Sequence, residues 1–135
     1  MARVESADIS WGRIRGPQGR VLSSVIRQTV QIIAERFRPD KIIMFGSYAR
    51  GCAGPDSDVD LLVVMAARNE IDQSLRIEES LDPPFPLDVI VRTPRNLKWR
   101  LEEGDWFLRE AVGQGKVLYE KADKTMGTPK ATLRP

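Results

Sequence analysis

At 135 residues, 41% of them hydrophobic and 30% charged, the chain has the length of one globular domain and too many apolar side chains for a disordered one. Its 21 basic and 19 acidic residues leave a formal charge of +2, which excludes the one-sided electrostatics of a non-specific nucleic-acid binder. With no histidine and the single cysteine Cys52, it holds no Ser-His-Asp or Cys-His relay, no disulfide scaffold and no His- or Cys-based zinc site, so acid–base or metal chemistry falls to carboxylates.

Residues 1–18 show no periodicity and read as a flexible leader, with neither a secretory signal at the start nor an apolar run of membrane-spanning length anywhere. A reducing, cytoplasmic location fits the lone cysteine. The domain proper is expected over 19–120. From Arg20 to Phe37, Val21, Leu22, Val25, Ile26, Ile32, Ile33 and Phe37 recur at helical spacing, and Pro39 ends the pattern. Lys41–Phe45 is a short branched and aromatic run stopped by Gly46-Ser47, as in a buried strand entering a tight turn. Gly51, Gly54, Pro55 and Asp56 form a loop, and Asp58–Met65 reads as a second strand with carboxylates at its entry. A surface helix is predicted from Asn69 to Glu79, closed by Pro83-Pro84-Phe85-Pro86, and a third strand over Leu87–Val91. Thr93-Pro94 caps a helix to about Glu103, and Asp105 caps another through Val112, ended by Gly113 and Gly115. Val117–Tyr119 forms a last short strand, and 121–135 reads as a disordered tail. This order predicts an α+β fold, a small mixed β-sheet with helices packed mainly on one face.

Three features carry candidate chemistry. Gly46-Ser47 is either an ordinary turn or a phosphate-binding one, in which glycine admits a ligand close to the backbone and N–H groups and the Ser47 hydroxyl donate to phosphate oxygens. Asp58 and Asp60 are either solvated loop-edge residues or, two apart on a strand, a pair projecting to one side, whose repulsion a hard divalent cation would relieve. Asp88 stands among Leu87, Val89, Ile90 and Val91, where an unpaired buried carboxylate is costly. Its partner is either an arginine such as Arg92 or, if its strand lies beside the second at about 5 Å, the same cation. Three such carboxylates suit two-metal phosphoryl transfer.

The run Phe45-Gly46-Ser47-Tyr48-Ala49-Arg50-Gly51 followed by Ser57-Asp58-Val59-Asp60-Leu61-Leu62-Val63 resembles the signature of the polymerase-beta-like nucleotidyltransferase superfamily, in its minimal branch. The likeness extends from about Lys41 to Tyr119 and includes Asp88 where the family has its third carboxylate. It implies the polymerase-beta-like fold, nucleotide binding by Gly46, Ser47 and Arg50, catalytic and metal-ligating roles for Asp58, Asp60 and Asp88, a pair of Mg²⁺ ions, and ATP or another nucleoside triphosphate as substrate. It also implies a partner. Minimal nucleotidyltransferases of this kind are often antitoxins paired with a helical HEPN ribonuclease toxin, which some silence by attaching AMP to a tyrosine. Inhibition by contact alone, or transfer onto a small molecule such as an aminoglycoside, are the alternative readings. Trp99, Trp106 and Phe107 either complete the small core or offer aromatic anchors to a partner.

Overall fold

The computed structural model describes residues 8–122. Helix α1 (Ser23–Phe37) buries Val25, Ile26, Thr29, Val30 and Ile33 on one stripe, and the Thr29 hydroxyl is satisfied by donating to the Val25 carbonyl at 2.8 Å. It starts three residues later than predicted because Val21 is held in an antiparallel bridge to Arg15, and the Leu22 N–H donates to Ile14 O at 2.9 Å. Arg38, in the left-handed region, closes the helix ahead of buried Pro39.

The leader expectation fails for residues 8–18. Ile9, Trp11 and Ile14 pack against the core, Trp11 edge-on to Phe85 at 5.8 Å, and the Arg15 guanidinium donates to the carbonyls of Gly19 (2.7 Å) and Pro55 (3.2 Å). The segment lacks periodicity because it packs as a strap, with no helix or strand repeat to leave a signature. At the other end Lys121 is tied to Asp40, its N–H donating to the Asp40 carbonyl at 2.9 Å; the rest of the predicted tail, 123–135, lies outside the described residues.

Strands β1 (Lys41–Phe45), β2 (Val59–Val64), β3 (Leu87–Arg92) and β4 (Lys116–Glu120) form one mixed sheet in the order β3-β2-β1-β4. Strand β1 runs antiparallel to β2 and β4, while β2 and β3 are parallel, connected through α3 (Glu70–Leu81). Between β1 and the loop before β2 lies the short α2 (Gly46–Arg50); α4 (Pro94–Glu102) and α5 (Trp106–Gln114) separate β3 from β4. The larger core lies under α1 and α3, where Ile42, Met44, Val59, Leu61, Val63, Val89 and Val91 meet Ile33, Ile77 and Leu81. On the opposite face a smaller cluster joins Ile43, Phe45, Leu62 and Val64 to Leu108 and Ala111 of α5. The central strands β1 and β2 are thereby buried on both faces.

The predicted caps Thr93 and Asp105 are present, and Asn69, predicted as the first residue of its helix, caps it instead. Asn69, Thr93 and Asp105 each accept a hydrogen bond from the N–H three residues on, at 3.0, 3.1 and 3.0 Å. Helix α5 runs through Gly113 to Gln114 instead of stopping at Val112, and Gly115 turns the chain into β4. At the sheet edge, the outward Val89 N–H donates to Glu78 Oε2 at 2.8 Å and the Thr93 N–H to Glu70 Oε2 at 2.9 Å, so α3 covers the polar rim of β3. Among the described residues no helix is long and apolar enough to cross a membrane.

Candidate active site

Because β1 runs against β2 and β3, the end of the first strand and the starts of the other two meet at one edge of the sheet. The register pairs Phe45 with Asp60, and Asp60 with Asp88. Gly46 follows Phe45 directly, at φ +77°, and a Cβ there would fall on Asp60 Oδ2. Glycine is therefore required twice, by the left-handed backbone and by the carboxylate lying against it. Phe45, at the N-cap of α2, offers no side-chain acceptor, so the first-turn N–H groups receive no side-chain cap.

Asp60 is half-buried, and its carboxyl is pushed up from 3.8 to about 6. Burial is the largest cause, followed by the like charges of Asp88 and then Asp58, while Arg50 pulls the other way. The strand tolerates this group because its neighbours Leu61 and Leu62, both fully buried, contribute roughly 2 kcal/mol each.

A cleft of about 240 Å³ opens at this edge, lined by Gly46, Arg50, Asp60 and Asp88 on one side and by Phe107, Glu110 and Gln114 of α5 on the other, with Phe45 and Ala111 at its base. Four of the six residues singled out from sequence are thus brought together. Ser47 sits in the first turn of α2 with its carbonyl accepting from the Cys52 N–H at 3.0 Å, and Asp58 stands exposed just before β2; neither lines the cleft. Asp58 still acts on Asp60 through its charge.

Two expectations are corrected. Asp88 is exposed, because β3 is an edge strand whose 88 position faces the open cleft, so burial does not force a partner on it. Arg92 is paired with Glu70 at 3.9 Å. Beta strand β2 begins at Val59, so Asp58 is not a strand neighbour of Asp60 but the last residue of the loop. Among the described residues no three carboxylate or thiol groups already converge as a closed metal cage. Trp99 and Trp106 do not complete the core: they are 54% and 74% exposed, and of the three aromatics only Phe107 packs inward, edge-on to Phe45 at 5.6 Å.

The sequence reading missed Glu110 and Gln114. Their spacing from Phe107 places all three along one helix face, but which face of α5 meets the site is decided by its docking across β1.

The family model described as Nucleotidyltransferase domain matches residues 26–118, a span that contains every residue of this cleft. The chain is 34% identical over 77 residues to the protein adenylyltransferase MntA of Thermococcus cleftensis, covering 57% of this chain and 78% of that protein. It is 30% identical over 97 residues to a candidate protein adenylyltransferase of Methanocaldococcus jannaschii, covering 70% of this chain and 94% of the relative. A solved toxin–antitoxin structure with AMP-PNP is 20% identical, with a TM-score of 0.48 over 75% of this chain and 77% of that one, a likeness too distant to carry an argument here.

Proposed function

The chain belongs to the nucleotidyltransferase-domain family, and from that premise we propose that it transfers AMP from ATP, with Mg²⁺, to a hydroxyl on a partner protein. The observation that carries this reading is the meeting of Gly46, Asp60 and Asp88 at one sheet edge, with a raised carboxyl at its centre.

The donor set fits a hard cation. Every candidate ligand is a carboxylate oxygen, and Mg²⁺ is ordinarily held by one or two carboxylates together with substrate phosphates, so a closed protein cage is not required. Asp60 and Asp88, with Asp58 beside them, are the residues that would hold it; when bound, the ion neutralises phosphate charge and lowers the pKa of an attacking hydroxyl. Gly46 admits the triphosphate close to the backbone, where the first-turn N–H groups of α2, the Ser47 hydroxyl and the Arg50 guanidinium donate to its oxygens. The acceptor oxygen forms a bond to the α-phosphorus, the bond to pyrophosphate breaks, and Asp88, exposed at the cleft mouth, takes the hydroxyl proton.

The acceptor in this reading is a tyrosine of a HEPN-type helical toxin, with the present chain as its antitoxin. Support comes from the sequence resemblance and from two relatives described as protein adenylyltransferases. The exposed Trp99 of α4 and Trp106 at the start of α5 supply anchor residues of the kind enriched at interfaces.

The test is label transfer from α-labelled ATP, with Mg²⁺, to a co-purified helical partner, beside Asp60→Asn. Label on a partner tyrosine that is absent with the variant is the expected result. Partner binding and silencing without label, in wild type and variant alike, would replace catalysis with inhibition by contact.

A further inference from the structure

The two walls of the cleft differ in chemistry. One carries the carboxylates, Gly46 and Arg50; the other is a single face of α5, on which Phe107, Glu110 and Gln114 stand at i, i+3 and i+7. Phe107 is held in orientation by its edge-on contact with Phe45, at 5.6 Å and 87° between ring planes, yet remains 46% exposed. A ring fixed in direction with a free surface in a cleft suits stacking by a planar base. Glu110 has no ion pair among the described residues, and as a carboxylate it only accepts hydrogen bonds. It would repel phosphate oxygens, which leaves the neutral, donor-rich part of a nucleotide as its complement; ribose hydroxyls are such donors. The Gln114 amide both donates and accepts, matching the mixed edge of a base.

We infer that α5 is the nucleoside-binding wall of this site, with Phe107 stacking the base, Glu110 accepting from the ribose hydroxyls and Gln114 bonding the base edge. The inference rests on the nucleotide reading of the cleft and assigns to α5 the recognition that the strand-edge residues, facing phosphate, do not perform.

The experiment is calorimetric titration of the full chain with three ligands, each with Mg²⁺: a non-hydrolysable ATP analogue, 2′,3′-dideoxy-ATP and inorganic tripolyphosphate. Phe107→Ala is expected to weaken the analogue about tenfold or more and to leave tripolyphosphate unchanged. Phe107→Leu, which keeps an apolar side chain against Phe45, is expected to do the same more mildly and serves if the alanine variant unfolds. Glu110→Gln is expected to weaken the ATP analogue several-fold but not the dideoxy nucleotide, which has no hydroxyl to lose. Variants that bind the ATP analogue like wild type, or that weaken analogue and tripolyphosphate equally, overturn the assignment of α5 alone. A wild-type protein that binds none of the three ligands overturns the nucleotide reading beneath it as well.

Discussion

Asp60 is where stability and the proposed function oppose one another. Its folded-state pKa of about 6 lies above the unfolded 3.8, so the native state holds the proton more tightly, and stability falls as pH rises between those values, with the full penalty present above about 6. After solvent screening of a half-buried group, that penalty is about 1 kcal/mol. Asp60→Asn is therefore expected to unfold at higher temperature than wild type at pH 8 but at the same temperature near pH 3.5, while losing nucleotidyl transfer by orders of magnitude. Equal melting temperatures at pH 8 would show that the carboxylate is not strained. Gly46→Ala tests the other side of the contact. Its Cβ would displace the Asp60 carboxylate, the end of a movable side chain, and the left-handed backbone adds about 1–2 kcal/mol. Thermal melts and transfer assays should thus show a modest stability loss beside a near-complete activity loss; a variant retaining activity would mean that Asp60 need not lie against the turn. Both residues stood out in sequence as candidates, while the close approach of the Asp60 carboxylate to Gly46 is visible only in the structure. The exposure of Asp88 was not legible in sequence, because apolar neighbours on a strand look alike whether the strand is central or at an edge.

Among the elements, the junction of α5 and β4 is tightly packed. A Cβ on Gly115 would strike the Ala111 carbonyl and approach Ile43 Cγ2 at 2.6 Å and the Met44 carbonyl at 2.9 Å, two of the three being backbone atoms that cannot step aside. Gly115→Ala should destabilise the protein by about 2–3 kcal/mol, measured by urea unfolding, and should loosen α5 and with it the Phe107 wall. An unchanged midpoint would show that β4 can shift along β1. Helix starts were readable from Asn69, Thr93 and Asp105, whose side chains satisfy the first-turn N–H groups locally. The end of α5 was misplaced by the glycine at 113, because glycine only weakens a helix and the packing of Leu108 and Ala111 on the sheet outweighs that preference.

Over the whole molecule, the N-terminal strap belongs to the fold. Trp11 bridges the chain before α1 to Phe85 in the segment leading to β3, and Trp11→Ala is expected to lower stability by about 2 kcal/mol, less than a fully buried tryptophan would because Trp11 is only partly covered. A chemical-denaturation midpoint identical to wild type would return residues 8–18 to the status of a leader. The amino-acid sequence by itself determined the class of fold, the strands and the capped helices, and it singled out Gly46, Asp58, Asp60 and Asp88 as candidates, because periodicity, caps and turn residues act over a few neighbouring positions. Only the tertiary structure decided that β3 is an edge, that Asp60 and Asp88 stand level on parallel strands, that the strap packs, and that α5 turns Phe107, Glu110 and Gln114 into the cleft. These depend on contacts between segments far apart in the chain, and such contacts leave no local pattern from which register, edge or helix face can be read.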